Sequence, residues 1–179
     1  SLMPVRMTLK TRLSTMNTKV IFLDVDGVLC LGGRLNDYCA RLLKQMVTIT
    51  DAKLVLSSNW RLYDDFYKLL IKYLSRHGLS IYGVTNNFGD NRVIEILYWV
   101  HYFGVKQWVV LDDRNLTREL SELKIESHTN KKFDPKFKNL LASITIQKFR
   151  KNFVKTEVLS GIQLKHVDQV TNFFSKSLW

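Results

Sequence analysis

The sequence lacks the features that mark several classes of protein. Its two cysteines, Cys30 and Cys39, form neither a CxxC pair nor any other zinc-binding spacing, so a reduced, intracellular setting is the default expectation. The four histidines are scattered and suggest no metal cluster. No apolar run approaches the roughly 20 residues of a membrane-spanning helix. We recognise no secretory signal, internal repeat or low-complexity tract.

The positive charge that is present is concentrated in two segments. Of the net +11, residues 1–19 contribute four basic and no acidic side chains, and residues 128–155 contribute eight basic and one acidic. From position 20 to 127 the two signs cancel at 13 each. Such segments suit an anionic partner, such as nucleic acid, acidic lipid or a phosphoprotein, or they serve solubility alone.

The stretch VIFLDVDGVL, residues 20–29, is the strongest local signal. Its apolar, β-branched start predicts a buried strand at about 19–25, which closes on Asp24 and Asp26. Gly27 permits a turn in which the backbone closes over a small anion. Two aspartates at the carboxyl end of a central strand can hold one divalent cation and still present a carboxylate oxygen as nucleophile.

The residues DVDGVL, 24–29, resemble the first motif of phosphatases in the haloacid dehalogenase (HAD) superfamily, DxDG(T/V)L. The resemblance implies that Asp24 attacks phosphorus and forms an aspartyl-phosphate. It implies that Asp26 protonates the leaving group and then activates water. It also implies Mg²⁺ as cofactor, bound by Asp24 and the backbone carbonyl of Asp26. The alternative is a strand followed by an ordinary acidic loop.

A second buried strand is predicted from Lys53 to Asn59 and ends in neutral hydrogen-bonding groups. A phosphoryl oxygen needs such donors, because further carboxylates would repel it. The segment resembles the second HAD motif. The resemblance implies that Ser57 is the catalytic phosphate-binding hydroxyl, with Ser58 in that role as the alternative, and that Ser58 and Asn59 are neighbouring substrate-binding groups.

The longer string SSNWR, residues 57–61, is similar to small HAD domains described alongside RNA-repair proteins. Arg61 either reaches a substrate phosphate or pairs structurally with Asp64 or Asp65, and we favour the structural role. A helix at about 63–76 follows, with Phe66, Leu69, Leu70 and Tyr73 at core spacing.

Two further motifs complete the resemblance. Arg92 opens a predicted helix that ends near Phe103, and it is the candidate for the HAD cation that neutralises the nucleophile and the transferred phosphoryl group. The strand that begins at Gln107 closes on Asp112 and Asp113. The resemblance implies that Asp113 binds the metal and that Asp112 supports it, with exchanged roles as the alternative.

The alternation of strands and helices predicts an α/β fold: a three-layer, Rossmann-like HAD fold with a central parallel sheet and helices on both faces. The connection at 31–36 leaves no room for a large cap. We expect a basic N-terminal arm at 1–18 and a single HAD-like catalytic domain at 19–179, with a basic insertion at about 116–150. We expect a monomer.

The predicted activity is Mg²⁺-dependent hydrolysis of a phosphomonoester through an aspartyl-phosphate. A site without a cap admits macromolecules, and a phosphoprotein carrying phosphotyrosine or phosphoserine is the favoured substrate. Nucleic-acid ends or nucleotides are the first alternative. A non-catalytic HAD-fold module that binds an anionic partner is the second.

Overall fold

A five-stranded parallel sheet forms the centre of the protein. The structure, a computed structural model, describes residues 17–126 and 133–176; the predicted arm lies outside them, apart from residues 17 and 18. The sheet order is β5-β4-β1-β6-β7. Its strands are β1 (Lys19–Leu23), β4 (Lys53–Leu56), β5 (Ile81–Val84), β6 (Gln107–Asp112) and β7 (Phe153–Lys155). The α/β fold predicted from the sequence is confirmed.

The central strand β1 is buried on both faces. Val20 and Phe22 point into one apolar cluster, and Ile21 and Leu23 point into the other. This alternation follows from the two-residue period of a strand. It explains why β1 is a continuous apolar run, as expected for a parallel strand with helices on both sides.

Among the described residues, three helices cover the first face. They are α1 (Asp37–Thr50), α2 (Asp64–Arg76) and α7 (Leu164–Lys176). The side chain of Asn36 accepts a hydrogen bond from the Cys39 N–H and caps α1. The core prediction for α2 is partly wrong, because Phe66 and Leu69 are 50% and 52% exposed while Leu70 and Leu74 are buried.

In the part of the chain that the structure describes, four helices cover the second face. They are α3 (Arg92–Phe103), α4 (Leu116–Glu126), α5 (Pro135–Ser143) and α6 (Ile146–Lys151). The last three come from the predicted insertion at 116–150. Leu116, Phe137 and Phe149 are fully buried against the sheet. This segment therefore builds part of the core as well as carrying positive charge.

A short hairpin stands where the sequence analysis expects only a loop. Its strands are β2 (Cys30–Leu31) and β3 (Arg34–Leu35), with Gly32 and Gly33 at the tip in left-handed conformations. In the described parts of the chain, none of the helices combines the length and hydropathy that a bilayer crossing requires.

Candidate active site

Three strands deliver polar side chains to the same edge of the sheet. In the sheet register, Leu23 lies between Leu56 of β4 and Leu111 of β6. The residues that follow these three leucines along the chain are Asp24, Ser57 and Asp112. They therefore lie side by side at the carboxyl edge of the sheet. This edge is where open α/β sheets bind ligands.

Three carboxylates form a compact cluster there. One oxygen from each of Asp24, Asp112 and Asp113 lies within 4.8 Å of the others. Asp24 and Asp112 are buried, and Asp113 is half-buried. Carboxylates brought this close without solvent repel one another strongly, so the cluster needs compensating positive charge.

Arg92 supplies part of that charge from the first turn of α3. Its Nη1 lies 2.6 Å from Asp112 Oδ2 and 3.2 Å from Asp24 Oδ1. Burial opposes its charge, but Asp112 and Asp24 together raise the pKa of Arg92 above its ordinary value. One guanidinium facing three carboxylates still leaves an excess of negative charge.

The pKa values of the Asp112 and Asp113 carboxyls are both raised in this cluster. Burial, followed by repulsion from Asp24, raises the pKa of Asp112 to about 8. Burial also raises the pKa of Asp113, and Asp24 raises it further by repulsion and by a hydrogen bond between the two carboxyls. Mg²⁺ prefers oxygen ligands, carboxylates above all. This cluster offers three carboxylates and carries more negative charge than Arg92 neutralises. The residues present therefore fit a divalent cation.

The loop after β1 packs tightly on this cluster. Gly27 has a φ of +72°, and a Cβ at this position would overlap the Asp113 carboxylate, with its Cγ only 2.6 Å away. The Gly27 carbonyl accepts a 2.7 Å hydrogen bond from the buried Thr156 Oγ1. The Thr156 N–H donates in turn to the Asp112 carbonyl. Thr156 thus links the loop to β6, a role that the sequence analysis missed.

Asp26 lies on this loop with its side chain exposed to solvent. Its Oδ2 accepts a 3.1 Å hydrogen bond from Trp60 Nε1. The Asp26 side chain is not part of the compact carboxylate cluster, and the role of its backbone carbonyl at a metal site stays a prediction. The contact with Trp60 was not anticipated.

Several buried polar atoms at this edge have no hydrogen-bond partner among the described residues. They are Ser57 Oγ, Asn59 Oδ1, Thr85 Oγ1 and Arg92 Nε. Ser57 is fully buried, and Thr85 follows β5 in the same sheet. Buried polar groups are nearly always paired, so such a concentration indicates a polar ligand. Thr85 was not identified from the sequence.

The two predicted neighbours of Ser57 are already engaged within the protein. Ser58 Oγ accepts the Trp60 N–H and caps the 3₁₀ turn Asn59–Leu62. Asn59 Nδ2 donates to Asp90 Oδ1, so only its Oδ1 lacks a partner. Ser58 therefore shapes the turn, and the prediction that its hydroxyl binds substrate stays a prediction, because accepting the Trp60 N–H leaves its own O–H hydrogen to donate.

The prediction that Arg61 binds substrate is corrected. Its side chain is buried, and its guanidinium nitrogens donate to the carbonyls of residues 57, 58, 85 and 86. Its Nη2 also lies 2.9 Å from Glu95 Oε2. The structural role that we favoured is correct, but the suggested partners Asp64 and Asp65 are wrong, because Arg61 points inward to α3.

The loop before α3 is held by a second arginine. Arg114 Nη1 lies 2.9 Å from Asp90 Oδ1, and Arg114 Nη2 lies 2.9 Å from Glu119 Oε1. Asp90 has a φ of +62°, which is unusual for a residue other than glycine. These bonds fix residues 86–91 beside the carboxyl edge of the sheet. Arg114 directly follows Asp113 in the sequence, but its partners are set by tertiary structure.

One sequence family matches this chain over residues 20–133, more than half of its length, and its description is "HAD domain in Swiss Army Knife RNA repair proteins". The chain belongs to this HAD family. The match covers the four strands that carry the site residues and stops before β7 and Thr156. HAD membership indicates a phosphatase-like hydrolase. No curated protein and no solved structure matches the chain at a significant level.

Proposed function

We propose that this HAD domain is a Mg²⁺-dependent phosphomonoester hydrolase. The observation that carries the proposal is the arrangement of the carboxylate cluster, Arg92 and the unpartnered Ser57 hydroxyl around one point at the carboxyl edge of the sheet. A phosphoryl group placed there would meet a nucleophilic carboxylate, a guanidinium and a neutral donor together.

In the proposed first step, an Asp24 carboxylate oxygen bonds to phosphorus while the bond from phosphorus to the leaving oxygen breaks. Asp26 donates a proton to that leaving oxygen. In the second step Asp26 accepts a proton from water, the water oxygen bonds to phosphorus, and phosphate and free Asp24 are released. The exposed position of Asp26 supports this exchange of protons.

The metal would be held by Asp24, Asp113 and the Asp26 carbonyl. Asp112 Oδ2 accepts a 2.6 Å hydrogen bond from Arg92 Nη1, and Asp112 Oδ1 accepts a 2.9 Å hydrogen bond from the Arg114 N–H. Asp112 therefore holds these two residues in position. When bound, Mg²⁺ offsets the repulsion between a carboxylate nucleophile and a phosphate dianion. Ser57 and the free Nε of Arg92 would bind the remaining phosphoryl oxygens.

The substrate class can be narrowed. The described residues form no large cap over the site, so a phosphoprotein, which the sequence analysis favoured, and a nucleic-acid end can both approach it. The family description concerns RNA repair proteins, which supports nucleic-acid ends over phosphoproteins. The complete set of Asp24, Asp26, Arg92 and Asp113 argues against a non-catalytic binding module.

The proposal is tested by Mg²⁺-dependent phosphate release from phosphopeptides, 3′- and 5′-phosphorylated oligonucleotides and mononucleotides. We expect Asp24→Asn to lower turnover at least about a hundredfold while the fold is retained. Asp168→Asn, the same chemical change at an exposed position of α7, is the matched control and should not change turnover. Turnover near the wild-type level in Asp24→Asn would refute the assignment.

A further inference from the structure

Three aromatic side chains form a surface beside Asp26, which we call the aromatic patch: Trp60, Tyr63 and Phe66. The ring centroids of Trp60 and Phe66 are 5.0 Å apart, and those of Tyr63 and Phe66 are 6.1 Å apart. Tyr63 is 59% exposed and Phe66 is 50% exposed. Large aromatic side chains in contact with each other are usually buried, so a group with two exposed rings and one half-buried ring, that of Trp60, is unusual.

The patch is connected directly to the proposed general acid. Trp60 Nε1 donates to Asp26 Oδ2 at 3.1 Å, so one end of the patch touches the group that protonates the leaving oxygen. The leaving group of the reaction must therefore depart next to this surface. The chemistry of the leaving group should match that of the aromatic patch, which presents the faces and edges of aromatic rings.

We propose that the aromatic patch stacks against the nucleobase of the terminal nucleotide whose phosphate Asp24 removes, so that the substrate is a phosphorylated polynucleotide end. This inference rests on the proposed function. In a nucleotide the sugar separates the base from the phosphate ester, which matches a patch that begins at Asp26 and extends outward to Tyr63 and Phe66. Stacking on aromatic side chains is a common way of binding unpaired bases.

The charge around the patch indicates one base rather than a continuous strand. Asp64 and Asp65 lie between Tyr63 and Phe66 in the sequence and are both exposed. A run of backbone phosphates along this surface would meet those carboxylates. A single stacked base carries no charge, so its contribution to binding should change little with salt, in contrast to contacts with phosphates.

The stacking is tested by binding, which does not require turnover. In an Asp24→Asn background, dissociation constants are measured for 3′- and 5′-phosphorylated oligoribonucleotides and for the same oligonucleotides with an abasic terminal residue. We expect Phe66→Ala to weaken binding of base-bearing ends by about five- to 150-fold, the range of a stacked base. Binding of the abasic ends should stay unchanged.

Two variants separate stacking from a structural role. Phe66→Leu keeps an apolar side chain on α2 but removes the ring, and it should weaken binding of base-bearing ends as Phe66→Ala does. Tyr102→Ala removes a tyrosine that is 51% exposed near the far end of α3, and it should leave every dissociation constant unchanged. Thermal unfolding shows whether each variant is folded.

The proposal is overturned if Phe66→Ala weakens the binding of base-bearing and abasic ends equally, or if it weakens the binding of neither. It is also overturned if a phosphotyrosine peptide, measured in the same background, is the one ligand whose affinity Phe66→Ala lowers, because the patch would then serve a phosphoprotein. Failure of the proposed function can be told apart from failure of this proposal. The absence of phosphate release from every substrate refutes the hydrolase. The comparison of dissociation constants does not depend on turnover and tests the stacking alone.

Discussion

Thr156 gives a defined test of how the site is held together, because its hydroxyl makes one identifiable hydrogen bond. Thr156 is fully buried, and its Oγ1 donates to the Gly27 carbonyl at 2.7 Å. Thr156→Val keeps the shape of the side chain and removes the donor. Leaving that carbonyl without its buried donor costs about 1–3 kcal/mol. Since each kcal/mol changes Tm by about 2–4 °C at this chain length, Tm should fall by about 2–12 °C.

The same change should lower activity, because the loop that carries Gly27 also carries Asp26 and packs against Asp113. A displacement of this loop by about 1 Å would reduce kcat on the order of 10- to 100-fold. We expect kcat to fall more than KM rises, since the phosphate-binding groups on β4 and α3 are untouched. Steady-state phosphate release and thermal unfolding measure the two effects.

Two controls make the Thr156 test specific. Thr156→Ser keeps the hydroxyl and should restore most of the lost kcat. Thr50 is also buried and donates a 2.7 Å hydrogen bond, to the Met46 carbonyl at the far end of α1, so Thr50→Val should lower Tm but not kcat. If Thr156→Val has wild-type kcat, or if Thr156→Ser is as impaired as Thr156→Val, the account of the loop is refuted.

Three further predictions concern the buried charges and the turn. Burial, followed by repulsion from Asp24, raises the pKa of the Asp112 carboxyl from near 4 in the unfolded chain to about 8 in the folded chain. In EDTA, the free energy of unfolding should therefore fall as pH rises from about 4 to about 8, by up to about 1.4 kcal/mol per pH unit, and Mg²⁺ should raise Tm more at pH 8 than at pH 6. Arg61→Met leaves the buried Glu95 carboxylate unpaired and should cost about 3–5 kcal/mol in denaturant unfolding, with partial recovery when Glu95→Gln is added. Gly27→Ala adds a Cβ that overlaps Asp113 and should lower kcat/KM at least about tenfold.

Each of these predictions has an outcome that contradicts it. A stability that rises between pH 4 and 8 in EDTA would mean that the carboxylates are already compensated without a cation. Full additivity of the Arg61→Met and Glu95→Gln costs would mean that the two groups do not interact. Gly78 also has a left-handed φ, of +67°, but its nearest neighbour is the flexible Lys44 side chain. Gly78→Ala therefore adds backbone strain without a contact with Asp113. If it impairs catalysis as much as Gly27→Ala, then the loss of activity in Gly27→Ala is caused by backbone strain and not by contact with Asp113.

The parts of the structure that follow from local pattern were predictable from the sequence. Apolar strands that end in Asp24, Ser57 and Asp112 indicate a parallel sheet with a polar carboxyl edge, and the register brings these residues together. The helix predicted to begin at Arg92 and to end near Phe103 is α3. In both cases the hydrophobic period and the residues that end it carry the information.

Long-range partners were not predictable in the same way. Arg61 turns inward to Glu95, 34 positions away, rather than to the adjacent Asp64 or Asp65, because only the folded chain offers a buried carboxylate there. Phe66 has the spacing of a core residue but lies exposed against Trp60. Spacing assigns a residue to one side of a helix, but it does not show where the neighbouring layer ends.

The roles of Thr156 and Trp60 depend on contacts that no motif describes. Thr156 lies after β7, 129 positions from its partner Gly27, and outside the residues that the family match covers. A threonine after a strand is too common to indicate such a bond. Trp60 belonged to the recognised SSNWR string, yet its contact with Asp26 depends on how the 3₁₀ turn lies against the loop after β1.

The most direct test of the central claim is to look for phosphate bound to Asp24. Asp26→Asn should slow the attack of water, since it removes the base, while a substrate with a good leaving group, such as an aryl phosphate, still phosphorylates the enzyme. We predict that acid-quenched Asp26→Asn, incubated with Mg²⁺ and this substrate, carries one phosphoryl group on the peptide that contains Asp24. The double variant with Asp24→Asn should carry none. Phosphate release by the wild-type protein with no phosphoryl group on that peptide, or with the group on another residue, would contradict the account.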